Sequence, residues 1–263
     1  MSIIGTVDSL WRYPVKSMRG EELNEAFVGF SGVYGDRLFA LKSSAAPKGF
    51  PYLTAREQRK LLQYRPHFRH PDKAARPVNL AEAEGLAPGV TPLFADAVEL
   101  MVDVKAPTGE TFAIDDPALL RLLRKDVPGA PDLTLLRSER ALTDCRPVSL
   151  FSLQSARQLG EEIGTAVDPR RFRANIYLDL HAANGYAENG FVGRSLRLGS
   201  KVVVSILERD PRCVMITLDP DTSEAKPELL RQVAKAHEGT AGVYGAVLVE
   251  GMLRKGDTVQ LLD

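Results

Sequence analysis

The sequence has few cysteines and no long apolar segment. Its 263 residues include only two cysteines, Cys145 and Cys213, and no Cys-x-x-Cys pair, which excludes a disulfide scaffold and a zinc ribbon. No apolar run approaches the ~18 residues that a membrane helix needs, and the N-terminal segment lacks the basic and apolar regions of a signal peptide. We therefore expect a cytoplasmic protein with no membrane partner.

The sequence also has no excess of either charge. Its 34 Lys and Arg residues balance 34 Asp and Glu residues, so it offers no basic surface for nucleic acid or anionic lipid. Hydrophobic residues make up 44% and charged residues 26% of the chain, as in ordinary folded proteins. We expect a folded, soluble protein that does not bind nucleic acid.

Common catalytic motifs are missing as well. No G-x-G-x-x-G follows a predicted strand and no G-x-x-x-x-G-K-[ST] loop occurs, which disfavours nicotinamide and ATP enzymes. The four histidines lie outside any H-E-x-x-H or hydrolase-triad context. His67 and His70 form one His-x-x-His pair, but without a third ligand the pattern indicates a surface loop rather than a metal site.

Short alternating runs, broken by Gly and Pro, predict strands and turns in the first forty residues. Thr54 and Glu57 then form a capping-box pattern before Leu61 and Leu62, which predicts a short helix. Five prolines between residues 66 and 92 predict an irregular surface excursion over residues 64–92.

Three further helices are predicted. Carboxylates and Pro117 indicate a helix start at 117, apolar residues at three- and four-residue spacing predict a helix over 152–163, and another helix starts at Pro227. Two late segments, 196–204 and 253–261, each place a glycine turn before an alternating strand, as small barrels do. These patterns predict a β-rich α+β fold with barrel-like sheets, peripheral helices and a domain boundary near residue 105.

Several segments place a cation or a small hydrogen-bonding group at the end of a predicted strand. They are residues 13–17 (YPVKS), 35–37 (GDR), 54–56 (TAR), 171–176 (RFRANI) and 210–214 (DPRCV). If these ends converge, several Arg and Lys side chains around one cavity suit an anionic ligand. Arg212 would favour the thiolate of Cys213, the form that binds a metal. Spacing alone leaves open that the arginines are solvated and that Cys213 is a buried structural residue.

These segments resemble the MOSC family, named for the C-terminal domain of molybdenum cofactor sulfurases. The resemblance is to members with an N-terminal β-barrel domain, which include amidoxime-reducing components and bacterial reductases of N-hydroxylated compounds. It extends from Tyr13 to Asp263 and rests on YPVKS at 13–17, GDRLFAL at 35–41, LTARE at 53–57, Asp144 with Pro147 and Ser152, RFRANI at 171–176, GYAENG at 185–190 and RCVMITLDPDT at 212–222. It implies a barrel-like N-terminal domain at 1–105 and a MOSC domain at 106–263.

The resemblance also implies a cofactor, the molybdenum cofactor, in which molybdopterin carries the metal. Cys213 would be its protein ligand, and a soft thiolate suits such a metal. The residues implied around its phosphate and pterin are Lys16, Ser17, Arg37, Thr54, Arg56, Ser152, Arg173, Asn175 and Arg212. Ala174, Asn189 and Phe191 replace residues that are frequent in the relatives, so we expect substrate contacts to differ.

The implied activity is an oxotransferase that reduces small N-hydroxylated compounds. The chain has no set of four cysteines for an iron–sulfur cluster, so electrons would come from a separate partner protein. The alternative is a non-catalytic carrier of the molybdenum cofactor, or of sulfur as a Cys213 persulfide. A third interpretation is a barrel protein with a degenerate pocket. Cys145 is interpreted as structural.

Overall fold

The computed structural model describes residues 2–85 and 92–262. The strands are β1 (Ser2–Arg12), β2 (Glu21–Leu23), β3 (Glu25–Gly29), β4 (Gly32–Val33), β5 (Phe39–Ser43), β6 (Arg65–Phe68), β7 (Val102–Lys105), β8 (Thr111–Ala113), β9 (Leu133–Arg137), β10 (Val148–Ser152), β11 (Ile176–Leu180), β12 (Ser195–Leu198), β13 (Val202–Pro211), β14 (Thr240–Val249), β15 (Gly251–Arg254) and β16 (Thr258–Leu262). The α-helices are α1 (Leu80–Gly85), α2 (Pro117–Lys125), α3 (Leu153–Ile163) and α4 (Glu228–Ala236). Four 3-10 helices cover Arg59–Gln63, Pro169–Phe172, Ala187–Phe191 and Val214–Thr217.

The chain forms two compact units, each built from separate stretches of sequence. The first unit comprises Met1–Trp11, Glu22–Val33 and Thr143–Asp263, and the second comprises Arg12–Glu21 and Tyr34–Leu142. The domain boundary near residue 105 stays a prediction. None of the helices in the described ranges is long and apolar enough to cross a bilayer.

Seven strands close a barrel in the first unit. Their order is β11-β10-β14-β13-β12-β16-β1, and β1 pairs with β11 to complete the ring. Neighbouring strands are antiparallel except β10 and β11, which run parallel. That pair needs a crossover connection, and α3 provides it. The predicted β-rich α+β fold with a barrel-like core is confirmed.

The side chains that fill the barrel come from every second residue of its strands. In β13, Val202, Val204 and Ile206 are fully buried while the residues between them are partly exposed, as the two-residue period of a strand requires. A second apolar cluster lies under α3 and α4, where Phe151 stacks on Phe172 with ring centroids 4.0 Å apart.

The helices predicted from residues 117, 152 and 227 are all present. Asp116 caps α2 by accepting a hydrogen bond from the Ala118 amide, and Ser152 caps α3 by accepting one from the Ser155 amide. Such side chains satisfy amides that have no partner within the helix. Because the caps lie within three residues of the amides they bind, the sequence could reveal them.

The second unit contains two small sheets. One pairs β5 with β9, and the other has the order β6-β7-β8. The buried guanidinium of Arg12 forms an ion pair with Glu21 at 2.8 Å and donates to the carbonyl oxygens of Tyr34 and Ala74. This arginine therefore connects three separate stretches of the second unit.

Two predictions in the second unit need correction. Only half of the capping box at Thr54 forms: Glu57 Oε2 accepts from the Thr54 amide at 2.9 Å, but the Thr54 hydroxyl donates to Glu57 and accepts from the Arg56 amide. The short helix after it is a 3-10 helix that starts at Arg59 and is capped by Gln58. The irregular excursion over 64–92 is wrong at β6 and at α1. Proline fits β6 because this strand is at the edge of its sheet. Residues 86–91 of that prediction lie outside the described residues.

A substitution at Gly5 tests whether the barrel closes by a tight pairing of β1 with β11. This residue pairs with Leu180, and a Cβ atom here would lie 2.4 Å from the carbonyl oxygen of Asp179. Because that atom is backbone, Gly5→Ala must push β1 and β11 apart. We expect the free energy of unfolding to fall by about 1–3 kcal/mol, measured by urea unfolding.

Gly190→Ala is the matched control, because no heavy atom of the described residues lies within 4 Å of its Cβ position. Its free energy of unfolding should change by less than about 0.5 kcal/mol. Equal stability of the two variants would show that the β1–β11 pairing tolerates a side chain and would contradict the expected clash.

Candidate functional site

Cys213 lies two residues after the end of β13, at the start of the 3-10 helix Val214–Thr217. Its backbone is extended, with φ −119° and ψ −174°, and its thiol is half-buried. The neighbouring Val214 is 38% exposed. The first unit therefore presents a thiol beside an apolar side chain at its surface.

The guanidinium of Arg212, next to this thiol, contacts protein atoms. Nε donates to the carbonyl oxygen of Ala241 at 2.6 Å, and Nη1 donates to that of Phe172 at 2.9 Å. Nη2 forms an ion pair with Asp210 Oδ2 at 2.6 Å, at an angle outside hydrogen-bond geometry. The predicted cation beside Cys213 is thus neutralised by Asp210, a residue that sequence reasoning did not select.

Arg173 and Asn175 follow the same Phe172. Arg173 has a left-handed backbone, with φ 52°. Asn175 is 1% exposed; its Oδ1 accepts from the Ser149 amide at 3.3 Å, and its Nδ2 donates to the carbonyl oxygen of Trp11 at 3.3 Å. The Asn175 amide therefore joins β10 to β1, and its cofactor contact stays a prediction.

Ser152 is fully buried, and its hydroxyl donates to a buried carboxylate, that of Glu188, at 2.7 Å. Ser155 Oγ lies 2.7 and 2.9 Å from the two Glu188 oxygens. Ser152 therefore holds the 185–190 turn on the N-terminus of α3, where the helix dipole favours an anion. Its cofactor contact stays a prediction.

Tyr186 occupies the same turn, and sequence reasoning did not single it out. Its backbone is left-handed, with φ 62°, and its amide donates to Ser155 Oγ at 2.6 Å. Its ring stacks on His237, with centroids 3.6 Å apart. Burial raises the pKa of the Tyr186 hydroxyl. This hydroxyl and Asn189 Oδ1 are buried, and neither has a hydrogen-bond partner within the described part of the chain. Such buried polar atoms are typically satisfied by water or by a ligand.

In the second unit, Lys16 and Arg56 meet at an aromatic pair. Phe50 and Tyr52 pack edge to face, with centroids 5.2 Å apart. Lys16 Nζ lies 4.8 Å from the Tyr52 centroid and 5.5 Å from that of Phe50, and the Arg56 guanidinium lies 4.7 Å from Phe50. Lys16 is buried and also donates to the carbonyl oxygen of Leu142 at 2.8 Å. Cation–π contacts hold both cations in place.

Arg37 lies beside its neighbour Asp36, with Nη1 and Oδ2 2.5 Å apart, and over the ring of Tyr13 at 4.6 Å. Asp36 also accepts a hydrogen bond from the Tyr13 amide at 2.8 Å. Thr54 is buried and donates its hydroxyl to Glu57. Thr54 is therefore fixed by a neighbour three residues away, whereas Arg37 is held both by the adjacent Asp36 and by the distant Tyr13.

Three of the predicted residues have a left-handed backbone. In the residues that the structure describes, eight non-glycine residues have positive φ, and Ser17 (64°), Arg37 (44°) and Arg173 (52°) are among them. Left-handed conformations cost free energy in such residues and persist where the surroundings impose them, often at functional sites. The other five lie outside the predicted set, and the binding role of Ser17, Arg37 and Arg173 stays a prediction.

The structure brings some predicted residues together within each unit. Arg212 connects Cys213 to the segment that carries Arg173, through the Phe172 carbonyl group. Phe50 connects Lys16 to Arg56.

The ligands available around Cys213 limit what kind of metal could bind. Across residues 2–85 and 92–262, no group of three or more His, Cys, Asp or Glu side chains could hold a metal ion. A metal at Cys213 would therefore need most of its ligands from elsewhere. A cofactor that carries its own sulfur ligands fits one soft thiol of this kind.

Comparison with known families agrees with this chemistry. Residues 137–260 match the MOSC domain, and residues 4–74 match the MOSC N-terminal beta barrel domain. The chain carries both domains. MOSC domains are associated with the molybdenum cofactor, and the predicted family resemblance is confirmed at the level of these domains.

The chain is similar to several solved structures. The YuaD protein of Bacillus subtilis shares 12% identity over 97% of this chain and 93% of that chain, with a TM-score of 0.47. YiiM from Geobacillus stearothermophilus shares 19% identity over 45% of this chain and 55% of that chain, with a TM-score of 0.34. YiiM from Escherichia coli shares 17% identity over the same fractions, with a TM-score of 0.31. No curated protein sequence matches this chain.

Glu162 joins α3 to α4 within the MOSC domain. Its carboxylate accepts hydrogen bonds from Gln158 and Gln232, each at 2.9 Å, and contacts His237 Nε2 at 2.8 Å. Burial opposes ionisation, but the hydrogen bonds from these three residues outweigh it and lower the pKa of Glu162 below its ordinary value.

This pKa shift predicts a pH dependence of stability. Glu162 stabilises the fold fully above its unfolded-state pKa of about 4.3, and the contribution is lost as pH falls through the lower folded-state pKa. Between about pH 5 and about pH 3, the wild type should lose more unfolding free energy than Glu162→Gln. Urea unfolding at several pH values measures the difference. Glu161→Gln, on the exposed side of α3, should keep the wild-type slope; equal slopes for all three proteins would contradict the prediction.

Proposed function

We propose that the chain binds the molybdenum cofactor, with Cys213 as the protein ligand of the metal, and reduces small N-hydroxylated compounds. The observation that carries the proposal is a half-buried thiol in a chain that matches the MOSC domain, where residues 2–85 and 92–262 supply no group of three His, Cys, Asp or Glu side chains for a bare metal ion. When bound, the cofactor supplies two-electron oxygen-atom transfer.

The side chains of this protein would hold the cofactor by charge and hydrogen bonds. In the first unit, Arg173 is a candidate partner of the phosphate and pterin. In the second unit, considered by itself, the candidates are the cations Lys16, Arg37 and Arg56 and the hydroxyl groups of Ser17 and Thr54. Cations already fixed by rings or carboxylates lose little side-chain entropy when an anion binds, and Arg presents paired donors to phosphate oxygens.

The proposed reaction breaks the N–O bond of the substrate. Two electrons and two protons convert the N-hydroxyl group to an N–H group and one water molecule. The electrons would come from a separate donor protein, because the two cysteines of this sequence cannot ligate an iron–sulfur cluster. The exposed apolar side chain of Val214 beside Cys213 suits the organic part of a small substrate.

A second candidate function is a carrier of the cofactor, or of sulfur as a Cys213 persulfide. The 185–190 turn favours it: the Glu188 carboxylate is fully buried and bound by Ser152 and Ser155, and Asn189 beside it is not acidic. This turn therefore exposes no carboxyl group that could pass protons to a substrate.

The metal and pterin content of the purified protein tests whether it binds the molybdenum cofactor. Protein purified from a cofactor-producing host should hold near-stoichiometric molybdenum and pterin, and Cys213→Ala should lose most of the metal because its thiolate ligand is gone. Elemental analysis and pterin fluorescence measure both. Cys145→Ala is the matched control, because Cys145 is an exposed cysteine whose thiol donates a hydrogen bond to Glu208. This variant should keep both molybdenum and pterin. A fully metallated Cys213→Ala variant would refute the assignment.

Turnover distinguishes the enzyme from the carrier. The holoprotein should oxidise a reduced viologen dye faster when benzamidoxime is added, because the substrate accepts two electrons per molecule. Full metal occupancy without this increase would refute the reductase and support the carrier.

A further inference from the structure

The side chain of Arg212 connects three segments of the first unit. It extends from the residue after β13, and its nitrogens donate to the carbonyl oxygens of Ala241 in β14 and Phe172 at the end of a 3-10 helix. Its own backbone amide donates to the carbonyl oxygen of Gly239 at 2.8 Å. Arg212 thus fixes the residue before Cys213 by main-chain and side-chain contacts together.

Asp210 completes this arrangement. The side chains of Arg212 and Asp210 are 8% and 2% exposed, and their charged atoms lie 2.6 Å apart. A buried charge is costly unless an opposite charge accompanies it. Removing the Asp210 carboxylate would therefore leave the guanidinium without its buried counter-charge and loosen its contacts.

The backbone nearby is shaped around the guanidinium. Gly242 has φ 78°, and a Cβ atom here would lie 2.7 Å from the carbonyl oxygen of Leu150 and 3.1 Å from Arg212 Nη2. Only glycine adopts this conformation readily and leaves the space. The Phe172 ring also packs against the guanidinium, whose central carbon lies 5.3 Å from the ring centroid.

We propose that Asp210 and Arg212 are a positioning pair that acts through Cys213. The pair holds the Cys213 backbone against the segment that carries Arg173, and Arg212 does not itself bind the cofactor. The inference rests on the proposed role of Cys213 as metal ligand. A positioning role and a direct contact with the cofactor predict different results. The Asp210 carboxylate cannot attract an anionic cofactor, so substitutions of Asp210 and Arg212 have the same effect only if both residues act by positioning Cys213.

The first experiment uses the protein without cofactor. Asp210→Asn and Arg212→Lys keep the size or the charge of the original side chain but weaken the paired contact. Alkylation by iodoacetamide at one fixed pH, followed by mass spectrometry, gives the rate at Cys213 relative to the rate at Cys213 in the same protein unfolded in urea. Both variants should raise this ratio by about fivefold as the segment opens locally, and the double variant should raise it no further.

Gly5→Ala is the control for lost stability, because it destabilises the same unit at the β1–β11 pairing and does not touch the Cys213 segment. It should leave the alkylation ratio at its wild-type value. An unchanged ratio in Asp210→Asn and Arg212→Lys, or an equal rise in Gly5→Ala, would overturn the proposal. Either single variant that folds is sufficient for this comparison.

The second experiment uses the holoprotein and separates positioning from binding. Both variants should keep pterin, while their molybdenum-to-pterin ratio falls by about tenfold, as when the partners that orient a metal ligand are removed. Loss of pterin in Arg212→Lys with full retention in Asp210→Asn would show a direct contact and overturn the proposal. If the wild type holds no pterin, the proposed function fails, while the alkylation ratios still decide the positioning role.

Discussion

The pairing of β1 with β11 is the constraint on which the MOSC barrel depends. It closes the ring of seven strands, and Gly5 is needed there because the two backbones approach too closely for a side chain. The same pairing places Trp11 beside Asn175, whose amide bonds to β1 and β10. The segment that contains Arg173 and Asn175 leads into β11, so the pairing that closes the barrel also fixes the position of this segment.

A barrel positions loops at its strand ends, and in this protein the loop after β13 carries Cys213 and the loop before β11 carries Arg173. Cys213 follows β13, whose last residues pair with the start of β14, so its position is determined by two of the longest strands. Arg212 and Asp210 add a charge pair at the same end. A rigid sheet that presents one thiol in this way suits a cofactor that provides the rest of its own coordination.

Several candidate residues are held in place by their neighbours, and some of them have a strained backbone. Ser17, Arg37 and Arg173 adopt left-handed conformations, and Lys16 and Arg56 are held over the Phe50 ring. Side chains fixed before a ligand arrives bind it with a smaller loss of entropy. The same argument applies to the 185–190 turn, which the buried Glu188 holds on α3.

Features that depend on residues a few positions apart are predictable from the sequence: alternating strands, the start of α2 at Pro117, and the glycine turns before β13 and β16. The sequence also indicates Cys213 and its cationic neighbours, through motifs that resemble a family. Contacts between groups that are far apart in sequence follow from the fold alone. Ser152 binds Glu188, 36 residues away, and Arg212 binds Ala241, 29 residues away. Such contacts follow from strand order and register, which no short-range pattern encodes. The edge position of β6 likewise explains why a proline-containing segment could form a strand.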